Sequence, residues 1–308
     1  MPLVTLKKVL TKANKRNYAV GAFNINNLEM LQAIMEAAEA ERSPVIISTS
    51  EGAINYAGMM ELGSLVHIAA KRSKRPVVFH LDHGKNYNLV VEAIKSGLYT
   101  SVMYDGSSLP FEQNIKKTKK LVAMAHKRGI SLEAELGSIA GIEDFVSVEE
   151  KDAHLTNPDQ AKDFIRRTGC DALAIAVGTS HGAYKFSGAS KLDQKRLTQI
   201  KLLTKMPLVL HGASGVPSNI KNLCIKYGCK IEKAKGVSDA SIKKAISNGI
   251  NKINIDTDLR IAFDAGIRKF LKDNPEVIDP RKILTPAKEL ITKVVRHKMK
   301  MFGSSNKG

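Results

Sequence analysis

Short apolar runs recur along the chain and alternate with longer stretches whose apolar residues fall at helical spacing. The runs read as strands at 18–24 (YAVGAFN), 44–50 (PVIISTS), 76–83 (PVVFHLDH) and 99–105 (YTSVMYD). Four more follow at 130–137, 171–178, 207–214 and 250–257. Between them, 27–42 (NLEMLQAIMEAAEAER) and 192–205 (LDQKRLTQIKLLTK) carry helices. Gly97, Gly129, Gly169 and Gly249 each close a helical stretch just before a strand, where a left-handed residue is wanted. Eight strands alternating with helices predict parallel pairing through crossovers. The expected fold is α/β, a (β/α)8 TIM barrel: one domain over 1–308 with an additional C-terminal helix. A doubly wound open sheet is the second choice.

Two connections are longer than a barrel needs. One, 138–157 (SIAGIEDFVSVEEKDAHLTN), follows the fifth strand, and the other, 215–236, separates the seventh strand from its main helix. Long loops at strand ends are often lids or subunit contacts.

Composition narrows the function. The 308 residues carry 48 basic and 30 acidic side chains, a net charge of +18, which suits nucleic acid or a phosphorylated substrate. The lysines lie on amphipathic stretches such as 114–129 and 291–302 and read as solvated faces. Tryptophan is absent and no basic patch is interleaved with aromatics, so nucleic acid is the weaker reading. Neither a secretion signal nor an apolar run of membrane-spanning length stands out, and the expectation is a soluble, cytoplasmic protein. Cys170, Cys224 and Cys229 show no CxxC spacing, so no thiolate metal site is expected. Any metal then falls to histidine and carboxylate.

Barrel active sites collect at the C-terminal ends of the strands. Asp82 and His83 end the third strand, Asp105 the fourth, and Glu135 stands near the end of the fifth. His181 follows the sixth, His211 ends the seventh and Asp256 the eighth. A single strand-end histidine usually does no more than satisfy the rim. Three on one rim, His83, His181 and His211, fit a catalytic zinc with an open fourth position. His80 lies deeper and reads as a core histidine, while His67, His126, His154 and His297 read as ordinary surface residues. On a regular strand Asp82 and His83 face opposite ways, so the strand end must bend for both to reach one substrate. Asp105 and Glu135 either form a second cation site or orient the histidines.

Anion recognition has separate signals. HGAYK and HGASG put small residues after strands, and NIDTDLR runs into a helix N-terminus. Lys185, Arg260 and Arg281 add charge, although each also reads as a surface residue.

The motifs GAFN, TSEGA, HLDHG, EAELG, GIED, TSHGAYK, HGASGVP and KINIDTDLR occur in the order found in class II fructose-1,6-bisphosphate aldolases. The likeness continues through DPRK and MKMFGS, so that the chain resembles the zinc-dependent bacterial type with an insertion after strand seven. The resemblance implies reversible cleavage of fructose 1,6-bisphosphate to dihydroxyacetone phosphate and glyceraldehyde 3-phosphate, with zinc stabilising an enediolate. It implies His83, His181 and His211 as zinc ligands, Asp82 as the acid/base and Glu143 as the proton-transfer group of the mobile loop. Asp105 and Glu135 carry over as a second or alternative position for a divalent or monovalent cation. Gly182, Gly212, Ala213, Ser214 and Asn254, Ile255, Asp256 and Thr257 carry over as phosphate binders, with Lys185 adjoining. Arg260 and Arg281 match basic residues of the far phosphate, in some relatives supplied across a subunit boundary. Asn24 and Ser50 match polar positions on the substrate side. A homodimer or homotetramer is expected.

Tyr104 and Gly106 stand where many relatives carry Ile and Ala, Ala140 where many carry Gly, and HGAS replaces a common HGGT or HGGS. None of these removes a chemical group. Zinc chemistry makes a Schiff-base lysine unnecessary, and no lysine is read as a strand-interior nucleophile. Tagatose 1,6-bisphosphate, differing at C4, is the alternative substrate. A non-catalytic barrel that uses its basic surface for binding or as a scaffold is the alternative of another class.

Overall fold

The apolar runs form strands, and the strands close on one another. A computed structural model of the chain describes residues 3–138, 140–143, 146–148, 154–181, 192–232 and 234–308. At 140–143, 146–148, 180 and 181 it describes the backbone alone. The strands are β1 (Val20–Asn24), β2 (Val45–Thr49), β3 (Val77–Leu81), β4 (Ser101–Tyr104), β5 (Ser131–Leu136) and β6 (Ala140–Glu143). After these come β7 (Val146–Val148), β8 (Ala172–Ile175), β9 (Ser180–His181), β10 (Leu208–Leu210) and β11 (Ile250–Ile255). Eight of them form a closed parallel barrel in the order β1-β2-β3-β4-β5-β8-β10-β11. Pairing of β1 with β11, Val20 beside Lys252, closes the ring and excludes an open sheet.

The helices begin with α1 (Leu6–Lys15), α2 (Leu28–Glu41), α3 (Glu51–Ala57), α4 (Met59–Arg72), α5 (Tyr87–Lys95) and α6 (Phe111–His126). They continue with α7 (Pro158–Thr168), α8 (Gln194–Thr204), α9 (Ser218–Lys226), α10 (Asp239–Ser247), α11 (Thr257–Asp273) and α12 (Pro280–Met301). Side-chain caps start many of them: Asn27 accepts from Met30 N–H, and Asn157 from the amides of Asp159 and Gln160. All four glycines expected to end helices have positive φ. The expected C-terminal helix is α12, packed on α2 and α11. Among the described residues no helix is long and apolar enough to cross a membrane.

Alternation along the strands sorts side chains into two cores. One lies between barrel and helices. The other fills the barrel: Val20, Ala22, Ile46, Val78, Met103, Ala172, Ala174 and Val209 pack with Val4, Leu6, Val9, Leu10 and Ala13. The helix α1 therefore plugs the N-terminal mouth with its apolar face. Toward the C-terminal strand ends the inward rows carry polar residues, Asn24, Ser48, His80, Asp105, His211 and Asn254, all buried, while that of β8 stays apolar at Ala176. Chemistry sits at the open mouth because apolar side chains already fill the other one.

The observed strands stop short of their expected ends. The strand β10 covers three residues, so His211 to Ser214 leave the sheet for the rim. Both long connections hold ordered elements. The segment after β5 contains β6 and β7, which pair antiparallel, and β6 pairs with β9 from the next barrel connection, Gly141 beside His181. The segment after β10 contains α9.

Candidate active site and metal centre

The third strand ends at Leu81, and the two residues after it leave the extended conformation. His83 has φ of +48°, the left-handed region, which is uncommon for a residue with a Cβ. This is the bend that two neighbours facing one cavity require. It is held by Asp82 N–H donating to the Thr49 carbonyl at 2.9 Å and by Lys85 N–H donating to His83 O at 2.9 Å. Gly84 then passes so close to β4 that a Cβ would lie 2.4 Å from the Met103 carbonyl oxygen.

Asp82, thus turned, accepts from two amides. Asn24 Nδ2 donates to Oδ2 at 3.0 Å and Asn254 Nδ2 to Oδ1 at 2.7 Å. Both asparagines are the last inward residues of their strands, so β1 and β11 clamp the carboxylate from one side. Their own carbonyl oxygens, together with Ser48 Oγ, are buried with no hydrogen-bond partner among the described residues. They are acceptors and a hydroxyl left over for a bound molecule.

The two imidazoles meet across the mouth. His83 Nε2 and His211 Nδ1 are 2.7 Å apart, and Asp82, His83 and His211 bring one donor atom each within 4.8 Å of one another. On its other side His83 Nδ1 faces Asp105 at 3.7 Å and Glu135 at 3.8 Å, a second group of donors. Burial pushes the Glu135 carboxyl well above its ordinary range, and the charge of Asp105 adds to the effect. Burial also opposes ionisation of Asp105, but the His83 imidazole, Ser107 and Lys85 outweigh it and hold that carboxyl below its ordinary range. Ser107 donates through both Oγ, at 2.6 Å, and N–H, at 3.0 Å.

Beneath this layer lies a network that the sequence reading missed. His211 Nε2–H donates to Glu133 Oε1 at 3.0 Å, and Lys252 Nζ reaches the same carboxylate at 2.8 and 3.0 Å. Lys252 also lies 3.2 Å from His80 Nε2, while His80 Nδ1 meets Ser101 Oγ at 2.8 Å. Burial, then the Lys252 charge, push His80 well below the ordinary imidazole range, so it is a neutral core residue as expected. Lys252 is a lysine in a strand interior, in the middle of β11 and wholly buried, a position that the sequence reading did not single out. It is no free amine, because the two Glu133 carboxylate oxygens lie 2.8 and 3.0 Å from its Nζ. Glu133 and Glu135 at alternate positions of SLEAEL, and the lone charge of Lys252 inside INKINI, were the signal for both.

The loops expected to hold anions are built as follows. Gly212 has φ of +60°, Ala213 packs into the outer core, and Ser214 O accepts from Val237 N–H at 3.1 Å. Asp258, in the first turn of α11, accepts from the N–H groups of Gly215 at 3.1 Å and Val216 at 2.8 Å. Lys298 from α12 neutralises Asp258 at 3.0 Å, both side chains being buried. The C-terminal helix thereby fixes the loop after His211 to the start of α11. Asp256 precedes that helix and Thr257 begins it; Ile255 faces the outer core, so only its backbone is offered. Arg260 is ion-paired to Asp256 at 2.7 Å on the rim, but Arg281 is bonded to Asp279 on the outer end of α12 and joins nothing here. Ser50 caps α3 by accepting from Ala53 N–H at 3.2 Å. The side chains of His181 and Glu143, and all of Gly182 and Lys185, lie outside the described residues. His126 and His297 are surface residues paired with Asp171 and Asp239.

Does this set of groups fit a metal? Among the described residues Asp82, Asp105, Glu133 and Glu135 are buried carboxyls, and Lys85 and Lys252 are the lysines paired with them. Glu135 Oε2 is buried with no hydrogen-bond partner among the described residues. A buried excess of acid calls for a cation. Around zinc with N bonds of about 2.0–2.1 Å, two imidazole nitrogens stand about 3.3 Å apart, so His83 and His211 need to separate only slightly. The donors fit.

The family model for class II fructose-bisphosphate aldolase matches residues 4–307. The chain belongs to this family. It is 51% identical to the fructose-bisphosphate aldolase of Thermus caldophilus over 302 residues, covering 98% of each chain. It is 47% identical to that of Helicobacter pylori strain 26695 over 306 residues, covering 99% of each. Among solved structures it resembles the YdjI aldolase of Escherichia coli K12, with a TM-score of 0.79, 33% identity and 99% coverage of both chains. The barrel is therefore the family's barrel, and the open mouth is where its chemistry belongs.

Proposed function

We propose that the chain is a lyase that reversibly cleaves fructose 1,6-bisphosphate to dihydroxyacetone phosphate and glyceraldehyde 3-phosphate. Membership of the class II family and relatives of that name at 42–51% identity support the activity. The observation that carries the chemistry is the convergence of His83, His211 and Asp82 in a buried, acid-rich mouth. With His181, which follows β8 and is paired through its backbone to β6, the two histidines would hold zinc. Such an ion supplies Lewis acidity toward the carbonyl and adjacent hydroxyl oxygens of the ketose.

The chain's own groups do the rest. Asp82, clamped by Asn24 and Asn254, takes the proton of the C4 hydroxyl as the C3–C4 bond breaks and returns it in condensation. The unpartnered carbonyl oxygens of the two asparagines accept substrate hydroxyls. Glu143, on β6 beside the strand of His181, moves the proton at the dihydroxyacetone phosphate carbon. Gly212, Ala213, Ser214 and residues 254–257 bind the ketose phosphate with backbone N–H groups, and Lys185 and Arg260 add charge. Asp105 and Glu135 hold His83 in place or take a second cation. Arg281, remote from the mouth in one chain, reaches the far phosphate only from a neighbouring subunit, which fits a homodimer or homotetramer. The protein is taken to work in the cytoplasm as one barrel domain.

An aldol-cleavage assay before and after chelation, with zinc or cobalt added back, tests the reading. Chelation should abolish cleavage, and metal should restore it. Borohydride with substrate should leave the enzyme active, since Lys252 is locked in an ion pair. Cleavage that survives complete metal removal would sink the proposal. Tagatose 1,6-bisphosphate, run beside the fructose ester, should turn over more slowly.

A further inference from the structure

The spacing of the three cysteines predicts no thiolate metal site, but the fold brings two of them together. The helix α9 ends in a tight motif in which Gly228, with φ of +91°, turns the chain back. Cys229 N–H donates to Cys224 O at 3.0 Å, and Gly228 N–H to Ile225 O at 2.9 Å. This pair of bonds places the side chains of Cys224 and Cys229 against each other at the helix end. Asp264, from α11, completes the cluster: Cys224 Sγ lies 3.3 Å from its Oδ2. One donor atom from each of the three lies within 4.8 Å of the others.

We propose that Cys224, Cys229 and Asp264 bind a thiolate-preferring divalent cation, zinc or cobalt, at a site distinct from the catalytic one. Donors about 3.8 Å apart surround a tetrahedral ion with bonds near 2.3 Å, so the cluster needs to tighten by about 1 Å or less. Two thiolates and a carboxylate offset the ion's charge, and the part-exposed side of Cys229 leaves room for water as fourth ligand. Cysteine binds such an ion as thiolate, so binding releases protons. Arg268 Nε, at 2.8 Å from both Asp264 oxygens, is the competing cation. That pair is about two-fifths exposed, so solvent screens it and its loss costs little. A bound ion would tie α9 to α11 and brace the loop after β10 against the start of α11. This inference does not depend on the aldolase reading.

The test is anaerobic titration of the reduced, metal-free full chain with cobalt(II), followed by absorption. The catalytic cluster offers only nitrogen and oxygen donors, so sulfur-to-cobalt charge transfer in the near ultraviolet reports this site alone. The expected result is that band, saturating at one sulfur-bound cobalt per chain once both sites are filled, and bleaching when zinc is added. Cys224→Ser with Cys229→Ser should lose the band and one equivalent of metal while aldol cleavage stays at the wild-type rate. Cys229→Ser alone, at a partly exposed position, should halve the band and weaken cobalt binding by about tenfold, without emptying the core. Absence of sulfur charge transfer at saturating cobalt overturns the proposal. So does a band that persists in the double variant, since Cys170 would then be its source.

Discussion

Lys252 and Glu133 form an ion pair of 2.8 Å in the centre of the barrel, with neither side chain exposed to solvent. Glu133 spends its other contact on His211 Nε2–H, which leaves Nδ1 of that ring directed at the mouth. The pair thus fixes the tautomer of a proposed zinc ligand from below. Removing one partner leaves a buried charge without a counter-ion.

Glu133→Gln keeps an acceptor for His211 but leaves Lys252 uncompensated. Zinc affinity, measured by competition with a chelator, should fall about 10- to 100-fold. Lys252→Met should act in the same direction and lower stability by about 3–5 kcal/mol in urea unfolding. Wild-type zinc affinity in both variants would confine the pair to a role in folding.

His211→Ala removes a ligand outright. Zinc content and cleavage should fall together, because two remaining histidines seldom hold a catalytic zinc. The measurement is metal per chain after gel filtration, beside turnover. Full occupancy with normal turnover would show that the ligand set is misassigned.

The eight strands were legible because parallel barrel strands are nearly continuous apolar runs, and PVVFHLDH or DALAIAVG look like little else. The strand-end acids and histidines were legible for the same reason: charge at the end of a buried run is conspicuous. Lys252 and Glu133 were harder, since a lone charge inside INKINI, or one of two inside SLEAEL, resembles an outward position until the register is known. The pairing of β6 with β9 was beyond reach, because both strands are short and neither has an apolar alternation. Cys224 and Cys229 meet through a helix-ending turn whose geometry rests on one glycine, so their spacing alone did not show that they meet.

Acid sensitivity should trace to Glu41. It is nearly buried on α2 and accepts from Arg296 at 2.8 Å and Ser305 at 3.1 Å, with Lys300 at 3.5 Å. Burial raises its affinity for a proton, but these partners outweigh burial and hold the carboxyl below its ordinary 4.5. A depressed folded value means stability that is present above the unfolded value and lost as pH falls through the folded one. Wild-type melting temperature should therefore drop below about pH 4.5, and Glu41→Gln should flatten part of that drop. At neutral pH the variant should be less stable by about 1 kcal/mol. Parallel melting curves of the two proteins through the acid range would contradict this.

Two acids on one rim are assigned different protons, and isotope exchange separates them. Asp82 is clamped by Asn24 and Asn254 on the wall of the barrel, and the proposed mechanism sets the C4 hydroxyl of the ketose beside it. Glu143 belongs to β6, outside the barrel, and β6 pairs with β9. Asp82→Ala should therefore block carbon–carbon cleavage but retain part of the proton exchange between dihydroxyacetone phosphate and solvent. Glu143→Ala should depress both, because removing the proton from carbon needs its own base. The decline should be on the order of 10²- to 10⁴-fold in each affected step. Zinc content should stay at the wild-type level in both, since neither carboxylate is placed among the metal ligands. The assay is exchange on dihydroxyacetone phosphate alone, overall cleavage and metal per chain for each variant. Complete loss of exchange in Asp82→Ala with exchange retained in Glu143→Ala would reverse the two roles. Loss of zinc in Asp82→Ala would instead make Asp82 a ligand, as its place in the His83–His211 donor group permits.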